Sequence, residues 1–340
     1  MNLKRKFKIY AKNITLKRVI NYSNVMIDLK LKNRKVYGKP LSLFIEPTSF
    51  CNLKCPLCPT GNGSIARKKG HMSFENYKKV IDKLGDNAFS VTLWNYGEPS
   101  LNKDFFEMIK YAKLKGLKVI TSTNGNAFRN KNDIQKFIDS GLDELVLAVD
   151  GITKETYEKY RINGNFEEFI SGIKELARLK KERKNDFPFM SMQFIIMKNN
   201  EHEVEQVEEF ARSLGVDELI LKTVFLFNDD KKAEKYLPTD KKYSRYADEG
   251  VKCKGAVILG CDGLWVGISI DHDGTVVPCC FDYDEKFKLG NIFEDNFNEI
   301  WNGSVIQKFR ETVWNDKGSV EICKNCPTNT KSQDYKRIRF

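Results

Sequence analysis

The stretch Cys51-Asn52-Leu53-Lys54-Cys55-Pro56-Leu57-Cys58 carries three thiols in a CxxxCxxC spacing, just after the apolar run Leu41 to Ile45. Thiolates so spaced on one loop can converge on a single iron-sulfur cluster, and three of them leave the fourth iron of a cubane without a protein ligand. An open iron is a reactive iron. Structural zinc is the other reading of a thiol group. It takes four closed ligands, usually as paired CxxC or Cys/His units, and the nearest histidine, His71, lies 13 residues beyond Cys58.

Outward from this loop, strand-like and helix-like patterns alternate from residue 41 to about 225. The apolar β-rich runs are Leu41 to Ile45, Val91 to Tyr96, Leu117 to Ser122, Glu144 to Val149, Phe189 to Met197 and Glu218 to Thr223. Amphipathic stretches separate them: Phe74 to Leu84, Phe105 to Lys115, Asp133 to Ser140, Phe166 to Lys181 and Val204 to Leu214. Six β-then-α units predict a parallel α/β sheet with helices outside it, too few for a closed eight-unit barrel. Ligands of such folds sit at the carboxyl ends of the strands. Gly97-Glu98-Pro99, Thr123-Asn124-Gly125 and Asp150-Gly151 leave the second, third and fourth runs there, and Arg161 follows downstream. Gln193 lies inside the fifth run, facing either the barrel or a helix.

In that order, the thiol loop, GEP, TNG, DG and the later arginine resemble the radical S-adenosylmethionine (SAM) superfamily. The resemblance implies a partial (β/α)6 barrel whose Cys51, Cys55 and Cys58 hold a SAM-cleaving [4Fe-4S] cluster. It also implies SAM contacts from Gly97, Glu98, Asn124, Asp150 and Arg161. A surface ion pair is the plain alternative for Arg161. The chain departs from the family at Leu57, where an aromatic is usual, at Tyr96, in place of the first glycine of GGEP, and at Ala148, in place of a serine.

The six other cysteines, Cys253, Cys261, Cys279, Cys280, Cys323 and Cys326, all fall in the carboxy-terminal third. Ile268 to Pro278 reads as a hairpin turning at Asp273-Gly274, with His272 beside the turn expected in solvent. Cys261, Cys279, Cys323 and Cys326 make a plausible complete ligand set. The run CDGLW, DGTVVPCC and CKNC, with Gly290-Asn291 and Ile300-Trp301, resembles the auxiliary-cluster module called SPASM in its single-cluster form, twitch. One auxiliary [4Fe-4S] cluster is then implied, with a four-thiolate zinc site as its rival. Cys280, expected to face opposite to Cys279 on a strand, and Cys253 are left over. Each is either a buried thiol or a hydrogen donor to a substrate radical, as in the family's epimerases.

The expected organisation is a basic amphipathic extension over 1–40, the barrel over 41–225, a linker or flap over 226–250 and the SPASM/twitch domain over 251–335. The net charge of +11 sits at one end: residues 1–41 hold 12 Lys/Arg and one acid, Asp28, while the rest is balanced. Leu3, Phe7, Tyr10 and Ile14 recur at helical spacing among lysines, a pattern that fits an anionic membrane surface, an acidic partner or plain packing on the barrel. No nucleic-acid-binding motif accompanies the charge. No apolar run approaches ~18 residues and no signal-peptide core is present, so a cytoplasmic protein is expected, with peripheral contact to the inner membrane face as an option. The function implied is abstraction of hydrogen from an unactivated C–H bond, followed by dehydrogenation or cross-linking of a sugar, lipid or peptide. Ferredoxin or flavodoxin would supply electrons. The 41-residue extension is shorter than the leader-binding domain of about 80 residues that peptide-modifying relatives often carry. Peptide epimerisation and a non-catalytic cluster scaffold are the alternatives.

Overall fold

The computed structural model describes residues 14–227, 230–247, 253, 260–326 and 334–340. Six parallel strands appear where the apolar runs fall: β1 Ser42–Ile45, β2 Ser90–Thr92, β3 Lys118–Thr123, β4 Glu144–Ala148, β5 Phe189–Ile196 and β6 Glu218–Thr223. Their inward and outward faces are both apolar, as in β4 Glu-Leu-Val-Leu-Ala, because helices cover one side and the barrel core fills the other.

Helix α1 is Leu16–Leu31. Those between the strands are α2 Phe74–Leu84, α3 Phe105–Leu114, α4 Lys131–Asp139, α5 Lys154–Tyr160, α6 Phe166–Glu182 and α7 Val207–Ser213. Short polar residues start several of them. Ser73 accepts from the Asn76 amide at 3.2 Å and Asn165 from the Glu168 amide at 3.0 Å, which satisfies donors left open in the first turn. Tyr77, Val80, Ile81 and Leu84 of α2 then face the sheet.

The sheet does not stop at six strands. β7 Gly267–Ile270 lies parallel to β1 on its outer edge, followed by antiparallel β8 Thr275–Val277 and β9 Gly290–Asn291. Antiparallel β10 Asp334–Arg339 covers β6, giving the order β10-β6-β5-β4-β3-β2-β1-β7-β8-β9. The expected hairpin forms, and it is fused to the barrel sheet through β1.

Two sequence expectations are corrected here, and a third lies mostly outside the described residues. His272 is buried, 6% exposed, because β7 brings the turn against Glu46 at the end of β1. Cys279 and Cys280 do not alternate on a strand: β8 ends at Val277, and the two adjacent side chains hydrogen-bond each other in the turn beyond it. The amino-terminal helix seen is α1, which buries Arg18, Asn21, Val25 and Asp28; residues 1–13, with Leu3, Phe7 and Tyr10, lie outside the described residues. In the 226–250 segment, the described residues include α8 Ala233–Tyr236. The Tyr246 hydroxyl accepts from the Leu226 amide at 3.0 Å. Helices α9 Gly263–Val266, α10 Phe297–Asn302, α11 Ser304–Asp316 and α12 Glu321–Lys324 complete the carboxy-terminal part. Among the described residues no helix is long and apolar enough to cross a membrane.

Candidate active site

β1 delivers the chain to the CxxxCxxC loop at the carboxyl end of the sheet. There a cavity of 390 Å³ is lined by Cys51, Cys55 and Cys58 together with Gly97, Glu98, Asn124 and Arg161. The loop is held by its neighbours. Cys51 Sγ accepts from the Leu53 amide at 3.4 Å and from Asn124 Nδ2 at 3.6 Å, and Cys55 Sγ accepts from Arg161 Nη1 at 3.6 Å. Burial pushes the Cys51 thiol up to about 12 and raises Cys55 as well, so loading a metal cluster there must displace protons.

Glu98 is buried at the first turn after β2 and accepts from Ser100 Oγ at 2.7 Å, Thr123 Oγ1 at 2.9 Å and the Asn124 amide at 2.8 Å. Burial raises its pKa against the pull of these bonds. The glutamate thereby ties the GEP turn to the TNG turn. Gly97 is required by close approach, because a Cβ there would stand 2.0 Å from the Thr48 carbonyl oxygen. Gly125 has φ +87°, and its Cβ would strike the Phe169 ring at 2.3 Å.

Arg161 makes an ion pair, as the plain reading supposed, but a buried one, with Asp150. Asp150, expected as a SAM contact, does not line the cavity; one oxygen meets the guanidinium and the other accepts from the Ile195 amide at 2.8 Å. Arg161 Nε is buried with no hydrogen-bond partner, an unspent donor at the wall. Three thiols, an unspent guanidinium donor and a cavity at the strand ends fit a cluster beside a small ligand that presents a carboxylate.

The opposite wall was hardly legible in the sequence. Gln193 faces the cavity, beside Lys222, Arg245 and the aromatic group Phe225, Phe227 and Phe281, whose ring centroids lie 4.6 Å (Phe225–Phe227) and 5.4 Å (Phe225–Phe281) apart. The available signal was position, since Lys222 to Phe227 leave β6 at its carboxyl end. Phe281 comes from the carboxy-terminal part, immediately after Cys279-Cys280.

Cys261, Cys279, Cys323 and Cys326 lie close enough for their charges to act on one another, and burial pushes Cys323 up to about 12. Cys280 is within the same reach of Cys261 and Cys326. Cys253 donates to the Asn325 carbonyl at 3.6 Å. Among the described residues no three His, Cys, Asp or Glu side chains converge on a single-ion position.

The Radical SAM superfamily profile matches residues 45–213, which contain the whole thiol loop and every motif after β2, β3 and β4. This chain belongs to the radical SAM superfamily. A second profile, SPASM, described as an iron-sulfur cluster-binding domain, matches residues 261–327. As a radical SAM protein of the SPASM-containing subgroup, it uses a [4Fe-4S] cluster, SAM and auxiliary iron-sulfur binding. It is 27% identical over 315 residues to the AdoMet-dependent heme synthase of Methanosarcina barkeri, covering 82% of this chain and 86% of that one. The cysteine-type anaerobic sulfatase-maturating enzyme of Clostridium novyi is 24% identical over 333 residues, with 85% of each chain covered. The solved structure of native anSMEcpe with bound AdoMet shares the fold at TM-score 0.62 and 20% identity, covering 87% of this chain and 93% of that one.

Proposed function

We propose that this radical SAM enzyme binds its SAM-cleaving cluster through Cys51, Cys55 and Cys58 and carries out an oxidative modification assisted by one auxiliary [4Fe-4S] cluster on Cys261, Cys279, Cys323 and Cys326. The observation that carries the reading is the single cavity bordered at once by the three thiols, Glu98, Asn124 and Arg161. When bound, the cluster and SAM supply a 5′-deoxyadenosyl radical that takes a hydrogen atom from a substrate C–H bond. The chain's own residues position and shield. Glu98 fixes the two turns proposed to face the SAM amino group, Arg161 offers its unspent Nε–H to the SAM carboxylate, and the aromatic wall excludes water.

Lys222, Arg245 and Gln193 border the far side beside Phe225, Phe227 and Phe281, so the substrate favoured is one with an acidic group next to an apolar body. Relatives named for heme synthesis and for sulfatase maturation make a small molecule and a protein residue the two substrate classes to try first. Ferredoxin or flavodoxin is the reductant proposed. A hydrogen-donor role for Cys280 is the second reading, favoured by its place directly before the cavity-lining Phe281.

The test is release of 5′-deoxyadenosine by anaerobically reconstituted protein with dithionite and SAM. Release is expected from the wild type and not from Cys55→Ala. A scaffold without turnover would release none in either case.

A further inference from the structure

Helix α1 is inside out. Its buried face carries Arg18, Asn21 and Asp28 around one aliphatic residue, Val25, with Met26 and Leu29 partly buried beside it, and its exposed face carries Leu16, Ile20, Ile27 and Leu31, at 76%, 53%, 54% and 65% exposure. At 100° per residue those four fall within one arc of about 60°. Only Ser23 and Asn24 occupy the turn between the pairs.

The buried polar side grips the barrel backbone. Arg18 donates to the carbonyls of Gly85, Lys115 and Gly116 at 3.0, 2.9 and 3.0 Å, Asn21 Nδ2 to those of Lys39 and Asn87, and Asp28 accepts from the Tyr37 and Gly38 amides. These bonds dock α1 on the barrel without any help from the aliphatic row. Tyr37, 83% exposed, extends the row between Lys35 and Lys39. Two grooves of 580 Å³ flank Tyr37, one reaching Leu16 and Ile20, the other Phe297 and Asn298, and Lys39 borders both. Lys30, Lys35 and Lys39 form no ion pair among the described residues, and α1 exposes no carboxylate, since Asp28 is buried.

An apolar row rimmed by unpaired lysines, with no exposed acid on the helix, complements the charge and polarity of an anionic lipid surface better than that of a protein core. We propose that α1 is an interfacial helix that seats this enzyme on an anionic bilayer, with Leu16, Ile20, Ile27 and Leu31 at the acyl boundary and Lys30, Lys35 and Lys39 on lipid phosphates. The geometry also says which way the enzyme faces. The carbonyls gripped by α1, at Gly85, Asn87, Lys115 and Gly116, precede β2 and β3, whereas the cavity lies beyond the opposite ends of those strands. Docked this way, the cavity opens away from the lipid, so a headgroup under α1 is an anchor and not the substrate.

The test is co-sedimentation of the full chain with vesicles of phosphatidylcholine, alone or mixed with phosphatidylglycerol. The wild type is expected on the mixed vesicles, with binding weakened by salt. Ile20→Glu with Ile27→Glu should lower partition at least about tenfold, and Lys35→Glu with Lys39→Glu likewise. Release of 5′-deoxyadenosine without vesicles should be unchanged in both variants, which shows that they fold and keeps this test separate from that of the activity. Absence of any preference for phosphatidylglycerol overturns the proposal, as does equal binding by the Ile20/Ile27 variant. Two further results also overturn it: a dimer, abolished by that variant, in protein that ignores vesicles, which assigns the face to a second copy, and vesicle binding that emerges only when residues 2–13 are deleted.

Discussion

At the scale of single residues, Arg161 and Asp150 form the most exposed test of the site. The carboxylate is fully buried and the guanidinium nearly so, so Arg161→Met leaves an uncompensated charge in the wall. Such a change is expected to cost about 3–5 kcal/mol in urea unfolding of the cluster-free protein, and Asp150→Asn added to it should recover a large part. A surface pair would cost under about 1 kcal/mol and show no such recovery. Tyr246 gives a pH-dependent case. Its hydroxyl accepts from the Leu226 amide, and burial pushes it up to about 12 from an ordinary 10. Tyr246→Phe should cost about 1–2 kcal/mol near neutrality, because the amide loses its acceptor. Above pH 10 the unfolded chain gives up the phenolic proton while the folded chain keeps it. Wild-type stability therefore falls by up to about 1.4 kcal/mol per pH unit until the folded group titrates, a loss the phenylalanine variant does not share. Unfolding compared at about pH 8 and pH 11 should show the gap between the two closing.

At the scale of elements, the join between β1 and β7 binds the two cluster-bearing parts into one sheet, and Arg67 pins that join. Its guanidinium meets both oxygens of Glu46, at 2.9 and 2.6 Å, and donates through Nε to the Tyr283 carbonyl at 2.8 Å. The amides of Ala66 and Arg67 are held by Asp284 at 2.8 and 3.0 Å. The Asp271 carboxylate lies in the same buried group, 3.9 Å from Arg67 and without a hydrogen bond, and burial raises its pKa well above the ordinary carboxylate value. Arg67→Met is expected to cost about 3–5 kcal/mol and, because both ends of the join loosen, to lower the yield of both clusters on reconstitution. Unfolding curves and visible absorption check it; a change within about 0.5 kcal/mol would mean that the join does not depend on the pair. The strands and helices of the barrel were legible because each is a local period of apolar residues. Helix α1 was not, because three of its four buried residues, Arg18, Asn21 and Asp28, are polar and apolar periodicity then points to the wrong side.

At the scale of the whole molecule, two sets of thiols are proposed as cluster ligands, and metal content reports on both. About eight irons per chain are expected for two cubanes, falling to about four in Cys323→Ala with Cys326→Ala. About four in the wild type, with zinc present, would instead favour the rival auxiliary site. The amino acid sequence by itself determined the thiol loop, the order of the strand-end motifs and the six β/α units, since each is written within a few contiguous residues whose spacing or period carries the signal. Only the tertiary structure decided that β7 extends the sheet at β1, that His272 is buried, that Phe281 joins Phe225 and Phe227 in one wall, and that α1 turns its aliphatic row outward. Those outcomes depend on partners far apart in the chain, and the partners are chosen by which backbone edge and which buried charge must be satisfied when the whole sheet closes.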